Sequence, residues 1–384
     1  MKNRILMYAF ALFSASAAAS SLTAGAEVVP GSDPRIEFSD CLVGKVVRDV
    51  QSGAAWVDRV LENARGYRWD APGARVRFRT DSAVVTVRLR YSARHIGPAN
   101  NSVGFWRIDG RGDTVAWRFE RPRLLDTEGK AKKLSYEAEL ALRLPVPDAG
   151  EAAMGRAGEG TAATAGAFHD YELILPYGDA VDVLGVEVAA GVHWEKPSPR
   201  PAVRWVAFGD SVTHGFTASS VAGSYPFQVA EAKGWQVINQ GIGGRSAAAK
   251  DGDFLAGVEG NLFSVAIGVN NWQGGTEIEV FRKNMSELLR RLRGGHPDAP
   301  VYVITPLWVP PTWRPKTAKY PLDEYRRAIG EVVAACVAAG DARMTLVDGP
   351  SLIDHDAALF DKVAVHPNDA GFAQMAERLA RAMK

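Results

Sequence analysis

Between residues 27 and 200 the apolar and polar positions alternate with a period of two. Residues 74–80 and 83–91 carry the clearest runs, placing Val76, Phe78, Val85, Val87 and Leu89 on one side and arginines or threonines on the other. Residues 103–108, 114–119, 134–144, 171–175 and 181–188 repeat the pattern, with Gly, Pro and Asp between them. Short strands at this spacing predict an antiparallel β-sandwich of jelly-roll type. Residues 148–167 are so rich in Gly, Ala and Glu that they predict a mobile loop. The proline-rich residues 196–201 predict a stiff linker.

Beyond residue 201 the pattern changes to strands that alternate with amphipathic helices. The predicted strands are 203–208, 236–239, 263–267, 301–305 and 345–347, and the clearer helices are 225–233, 278–292, 322–339 and 369–383. This alternation predicts an α/β domain with a parallel sheet and crossover helices, whose ligands sit beyond the carboxyl ends of the strands.

At the N-terminus Lys2 and Arg4 precede an apolar run, residues 5–19, and Ala24, Gly25 and Ala26 follow. This is the pattern of a secretory signal peptide over residues 1–26, so export to the periplasm or medium is expected. The organisation read from the chain is therefore signal 1–26, β-sandwich with linker 27–200, and α/β domain 201–384. The apolar run is too short to span a bilayer, which takes about 18 or more residues. No membrane insertion is expected.

Lys and Arg total 45 against 44 Asp and Glu, so charge gives no drive toward nucleic acid. Cys41 and Cys336 are the only cysteines, too few for a disulfide framework or a cysteine zinc site, and Cys336 lies in a helical apolar pattern that predicts a buried thiol. No metal and no cofactor are expected. The glycine-rich residues 239–246 do not complete a dinucleotide fingerprint, because Ser246 stands at its last place.

Chemistry concentrates in the loops that follow the predicted strands. Gly209-Asp210-Ser211 sets a hydroxyl between a strand and a helix, Gly241 to Gly244 let backbone approach a ligand, and Asn270 and Asn271 offer side-chain amides after an apolar strand. His366 precedes a helix capped by Asn368. Together these loops resemble the four sequence blocks of the SGNH (GDSL-like) serine hydrolases, in the family's order, over residues 203–384. The resemblance implies a three-layer α/β/α domain in which Ser211 is the nucleophile and His366 its general base. It also implies an oxyanion hole built from the N–H groups of Ser211 and Gly244 and the side chain of Asn270. No Gly-x-Ser-x-Gly elbow occurs, which argues against the α/β-hydrolase version of this chemistry.

The chain departs from the family twice. Val363 stands where the family has an acid three residues before the histidine, leaving Asp361, Asp354 or a backbone carbonyl to orient His366. Asn271 replaces the usual acid beside the oxyanion asparagine. His214, near the nucleophile, is assigned no role.

A β-sandwich ahead of such a domain resembles bacterial carbohydrate acetylesterases. The implied function is removal of small acyl groups, acetyl first, from an acylated carbohydrate or another small ester. Trp272, Trp308 and Trp313 are the candidates for stacking on sugar rings. Acyl transfer, lipase or lysophospholipase activity, and an idle glycan-binding protein are the alternative readings.

Overall fold

The computed structural model describes residues 26–42, 45–57, 70–93, 103–110, 115–119, 136–144, 167–362 and 365–384. Residues 1–25 of the predicted signal and the Gly/Ala/Glu-rich segment up to residue 166 lie outside them. Two compact units result, one from described residues 26–39 and 45–198, the other from 40–42 and 199–384.

The first unit is all-β. Its strands are β1 (Ala26–Pro30), β2 (Glu37–Ser39), β3 (Val46–Arg48), β4 (Ala55–Val57), β5 (Arg75–Thr80), β6 (Val85–Ala93), β7 (Val103–Ile108), β8 (Val115–Arg118), β9 (Tyr136–Leu144), β10 (His169–Ile174), β11 (Ala180–Ala189) and β12 (Trp194–Glu195). They form two six-stranded antiparallel sheets, ordered β3-β4-β11-β6-β9 with β1 on β11, and β12-β5-β10-β7-β8 with β2 on β5. Alternate residues of β6, Val85, Val87, Leu89 and Tyr91, are fully buried, and the Tyr91 ring meets Trp117 of the other sheet edge-on at 5.8 Å. The two sheets therefore share one apolar interior, as the period-two pattern requires.

The second unit is α/β. Its strands β13 (Arg204–Gly209), β14 (Gln236–Gly241), β15 (Leu262–Ala266), β16 (Val301–Ile304) and β17 (Met344–Val347) form one parallel sheet in the order β14-β13-β15-β16-β17. The helices are α1 (Ser211–His214), α2 (Tyr225–Lys233), α3 (Ala249–Ala256), α4 (Val269–Gln273), α5 (Ile278–Gly295), α6 (Leu322–Ala338) and α7 (Asp369–Ala382). Alternation along β13 sends Val206 and Phe208 into a core with Phe281, Met285, Tyr325 and Ile329 of α5 and α6. It sends Trp205 and Ala207 into a second core with Tyr225, Val229, Phe372 and Met375 of α2 and α7. A strand buried on both faces reads as one apolar run, and each large side chain withdrawn from water contributes about 1.5–3 kcal/mol. The unit is a three-layer α/β/α sandwich. Strand order reverses at β13 and β15, and beyond their carboxyl ends a crevice is expected.

Candidate active site

β13 ends at Gly209, and the next residue, Asp210, caps α1 by accepting the Val212 N–H at 3.0 Å. Ser211 is thereby fixed at the first position of a single helical turn, which closes at Gly215 with φ of 95°. The turn is wedged against β14. Asn239 Nδ2 donates to the Thr213 carbonyl at 2.9 Å, Thr213 shares a hydrogen bond with the Tyr225 hydroxyl at 2.8 Å, and a Cβ on Gly241 would stand 2.1 Å from the His214 nitrogen. His214 is buried under this contact. Burial pushes the Asp210 carboxyl up to about 7. The Val212 N–H and Arg245 oppose that rise.

The second and third loops are tied to each other. Asn271 accepts the Ala247 N–H at 2.8 Å, and Asn270 donates one amide hydrogen to the Arg245 carbonyl at 3.0 Å. Gly244 between them holds φ of 79°, a left-handed conformation that a side chain would strain. Among the described residues, the backbone N–H groups of Ser211 and Gly244 and the second amide hydrogen of Asn270 donate to no protein group. The amide of Asn271 thus does the loop-tying for which an acceptor is needed, and it does so without a charge.

His366 is presented by a tight return of the chain, in which Phe360 bridges Pro367 and the Asp361 N–H donates to the His366 carbonyl at 2.8 Å. Asn368 caps α7 just beyond, accepting the N–H groups of Ala370 and Gly371. His366 Nε2 lies 2.9 Å from Ser211 Oγ, so residues far apart in sequence form one hydrogen-bonded pair. On the other side of the ring, Asp361 Oδ2 stands 3.6 Å from Nδ1, an ion-pair separation longer than a hydrogen bond. Burial lowers the His366 pKa below its usual value, opposed by the Asp361 charge. That shift favours the neutral imidazole, the form that accepts a proton.

Of the other candidates for orienting the ring, Asp354 is excluded by its partners. Its carboxylate pairs with Arg378 at 2.5 Å and accepts from Gln374 at 3.1 Å, both on α7. Val363 lies outside the described residues.

The tryptophans separate. Trp272 is 4% exposed, belongs to the apolar core, and donates its indole N–H to the Tyr320 carbonyl at 3.0 Å. Trp313 packs edge-on against it at 5.4 Å. Trp272 is therefore a core anchor rather than a stacking platform, and Trp313 supports it. Trp308 instead lines a small pocket with Asp210, Val212, Ile267, Pro306 and Val365. Its indole stacks on His355 with ring centroids 5.2 Å apart. Phe216 and Thr217, which contact the His366 loop, carry no signal in the sequence beyond following the first block.

No helix among the described residues is long and apolar enough to cross a membrane, and no cluster of three or more His, Cys, Asp or Glu side chains among them is arranged to hold a metal ion.

The α/β/α sandwich thus brings a hydrogen-bonded Ser-His pair to the point where strand order reverses. Residues 207–374 match the GDSL-like lipase/acylhydrolase family. The whole chain resembles a salicylyl-acyltransferase from a tetracycline biosynthetic pathway, at 20% identity and a TM-score of 0.70 over 94% of this chain and 97% of that one. It also resembles a family two carbohydrate esterase from Cellvibrio japonicus (15% identity, TM-score 0.61, 93% and 97% covered). A further similar structure is a family two carbohydrate esterase from Clostridium thermocellum in complex with cellohexaose (14%, 0.56, 86% and 98%). At these identities the likeness is one of fold. No curated protein matches the chain in sequence.

Proposed function

We propose that this protein is an exported serine esterase that removes small acyl groups, acetyl foremost, from a carbohydrate or glycoside. The observation that carries the reading is the 2.9 Å contact between Ser211 Oγ and His366 Nε2. His366 takes the hydroxyl proton as Oγ attacks the ester carbonyl, and the resulting oxyanion is received by the N–H groups of Ser211 and Gly244 and the free amide hydrogen of Asn270. The tetrahedral intermediate collapses when His366 returns its proton to the leaving alcohol, and water repeats the sequence on the acyl-serine. Each oxyanion donor is worth about 3 kcal/mol in such sites.

A small acyl group is supported by the pocket that Trp308 lines together with Val212 and Val365, the chain neighbours of Ser211 and His366. The carbohydrate part of the reading is supported by the two family two carbohydrate esterases that share the fold, one of them holding cellohexaose. Export is supported by the N-terminal charge and apolar pattern.

A second reading, transfer of the acyl group to an alcohol other than water, is favoured by the similar salicylyl-acyltransferase. Both readings share the acyl-serine and separate by whether added alcohol diverts the product.

Ser211→Ala and His366→Ala are each expected to lower ester turnover by about three orders of magnitude or more while leaving the circular dichroism spectrum intact. Retention of more than about a tenth of the wild-type rate by either variant would remove the assignment. Nitrophenyl acetate is expected to show a higher kcat/KM than nitrophenyl octanoate, because no long apolar lid segment stands between the four sequence blocks; the reverse order would replace the acetylesterase reading with a lipase one.

A further inference from the structure

The loop that leaves α1 reaches across to the base. The Phe216 N–H donates to the Ser211 carbonyl at 2.9 Å, and the Phe216 ring packs against the His366 imidazole with centroids 4.7 Å apart and planes tilted by 55°. The next residue, Thr217, sits at φ of 78°, left-handed backbone that a β-branched side chain rarely adopts. Its hydroxyl touches the Phe216 carbonyl and donates at 2.8 Å to the carbonyl of Pro367, the residue after the base. Two residues on, the Ser219 N–H donates to Asp369 Oδ1 at 2.8 Å. Strained backbone persists where its surroundings impose it, and here the surroundings are the base's own loop.

We propose that Phe216 and Thr217 are positioning residues that clamp His366 onto Ser211, a role that rests on the esterase reading above. The clamp answers a specific need. With the Asp361 carboxylate 3.6 Å from Nδ1, no hydrogen bond among the described residues fixes the far side of the imidazole. Phe216 holds the ring by its face, and Thr217 holds the backbone at Pro367. Phe216 also covers one face of the imidazole with an apolar ring. Among the described neighbours of the ring, Asp361 brings charge, whereas Phe216, Thr217 and Ser211 bring none.

The test compares Thr217→Ser, Thr217→Gly and Phe216→Leu with Ser211→Ala in the full chain, using nitrophenyl acetate. Thr217→Ser keeps the hydroxyl and is expected within about threefold of wild type. Thr217→Gly removes both hydroxyl and strain, so it is expected to melt no earlier than wild type yet to lose about tenfold or more in kcat with KM nearly unchanged, since small misplacements of catalytic groups are costly. Phe216→Leu exposes the imidazole to water, and the acidic limb of its pH–rate profile is expected to move up toward the ordinary histidine value of about 6.5. Wild-type kcat in Thr217→Gly, equal losses in the Ser and Gly variants, or an unmoved limb in Phe216→Leu would each overturn the clamp. If Ser211→Ala is inactive in the same assay, such a result defeats the clamp alone; an active Ser211→Ala defeats the esterase reading itself.

Discussion

Nδ1 of His366 faces a carboxylate that is close enough to attract it but too far to share its proton. In the proposed mechanism, through-space attraction at 3.6 Å would stabilise a protonated imidazole without the tautomer control of a short hydrogen bond. Asp361→Asn is therefore expected to cost about 10- to 100-fold in kcat/KM, between the loss of about 10⁴ for a true triad aspartate and the small effect of a bystander. The sign of the pH effect follows from the same pair. Asp361 raises the His366 pKa against the lowering by burial, so its removal lets that pKa fall further and carries the acidic limb of the kcat/KM profile to lower pH. A limb that stays in place, or moves upward, would mean that Asp361 does not act on the ring. Ser211 and His366 were legible in the sequence because each sits in a short motif at a strand or helix boundary. Trp272 was not, since its burial is decided by Tyr320, a residue distant in sequence whose carbonyl takes the indole proton.

The α/β unit and its four long helices were readable because double burial makes β13, β15 and β16 largely apolar runs and because α5, α6 and α7 carry clear amphipathic spacing. α3 escaped the reading: its eight residues include Gly252, Lys250 and two aspartates, and it is held by packing on α5 rather than by propensity. The three-residue strands β2, β3 and β4 are too short for alternation to register. The contact between α1 and β14 was equally invisible, although it sets the position of Ser211. It depends on Gly241 having no side chain, so Gly241→Ala is expected to overpack the junction and lower stability by about 1–3 kcal/mol, or more if backbone cannot shift. Turnover should fall beyond what the stability loss explains, because α1 must move away from the base. Denaturant unfolding and kcat on the soluble variant check both parts, and an unperturbed variant would show that the turn is not wedged as described.

At the scale of the whole molecule, the change from period-two to helix-strand patterning near residue 201 told two architectures apart, the antiparallel sheets before it and the parallel sheet after it. What patterning could not reveal is that the second unit recruits residues 40–42 from far upstream. Asp40, fully withdrawn from solvent at its side chain, grips Arg200 through paired contacts of 2.8 Å, and Leu42 lies against the apolar core that supports α5 and α6. The hydrolase domain is thus not a contiguous stretch of polypeptide. A gene fragment that starts at Pro199 encodes a body missing its own seam, with a guanidinium stripped of its anion and a strip of core laid open. Recombination that shuffles this domain into another protein as a single cassette would have to bring the seam along, or evolve a substitute for it.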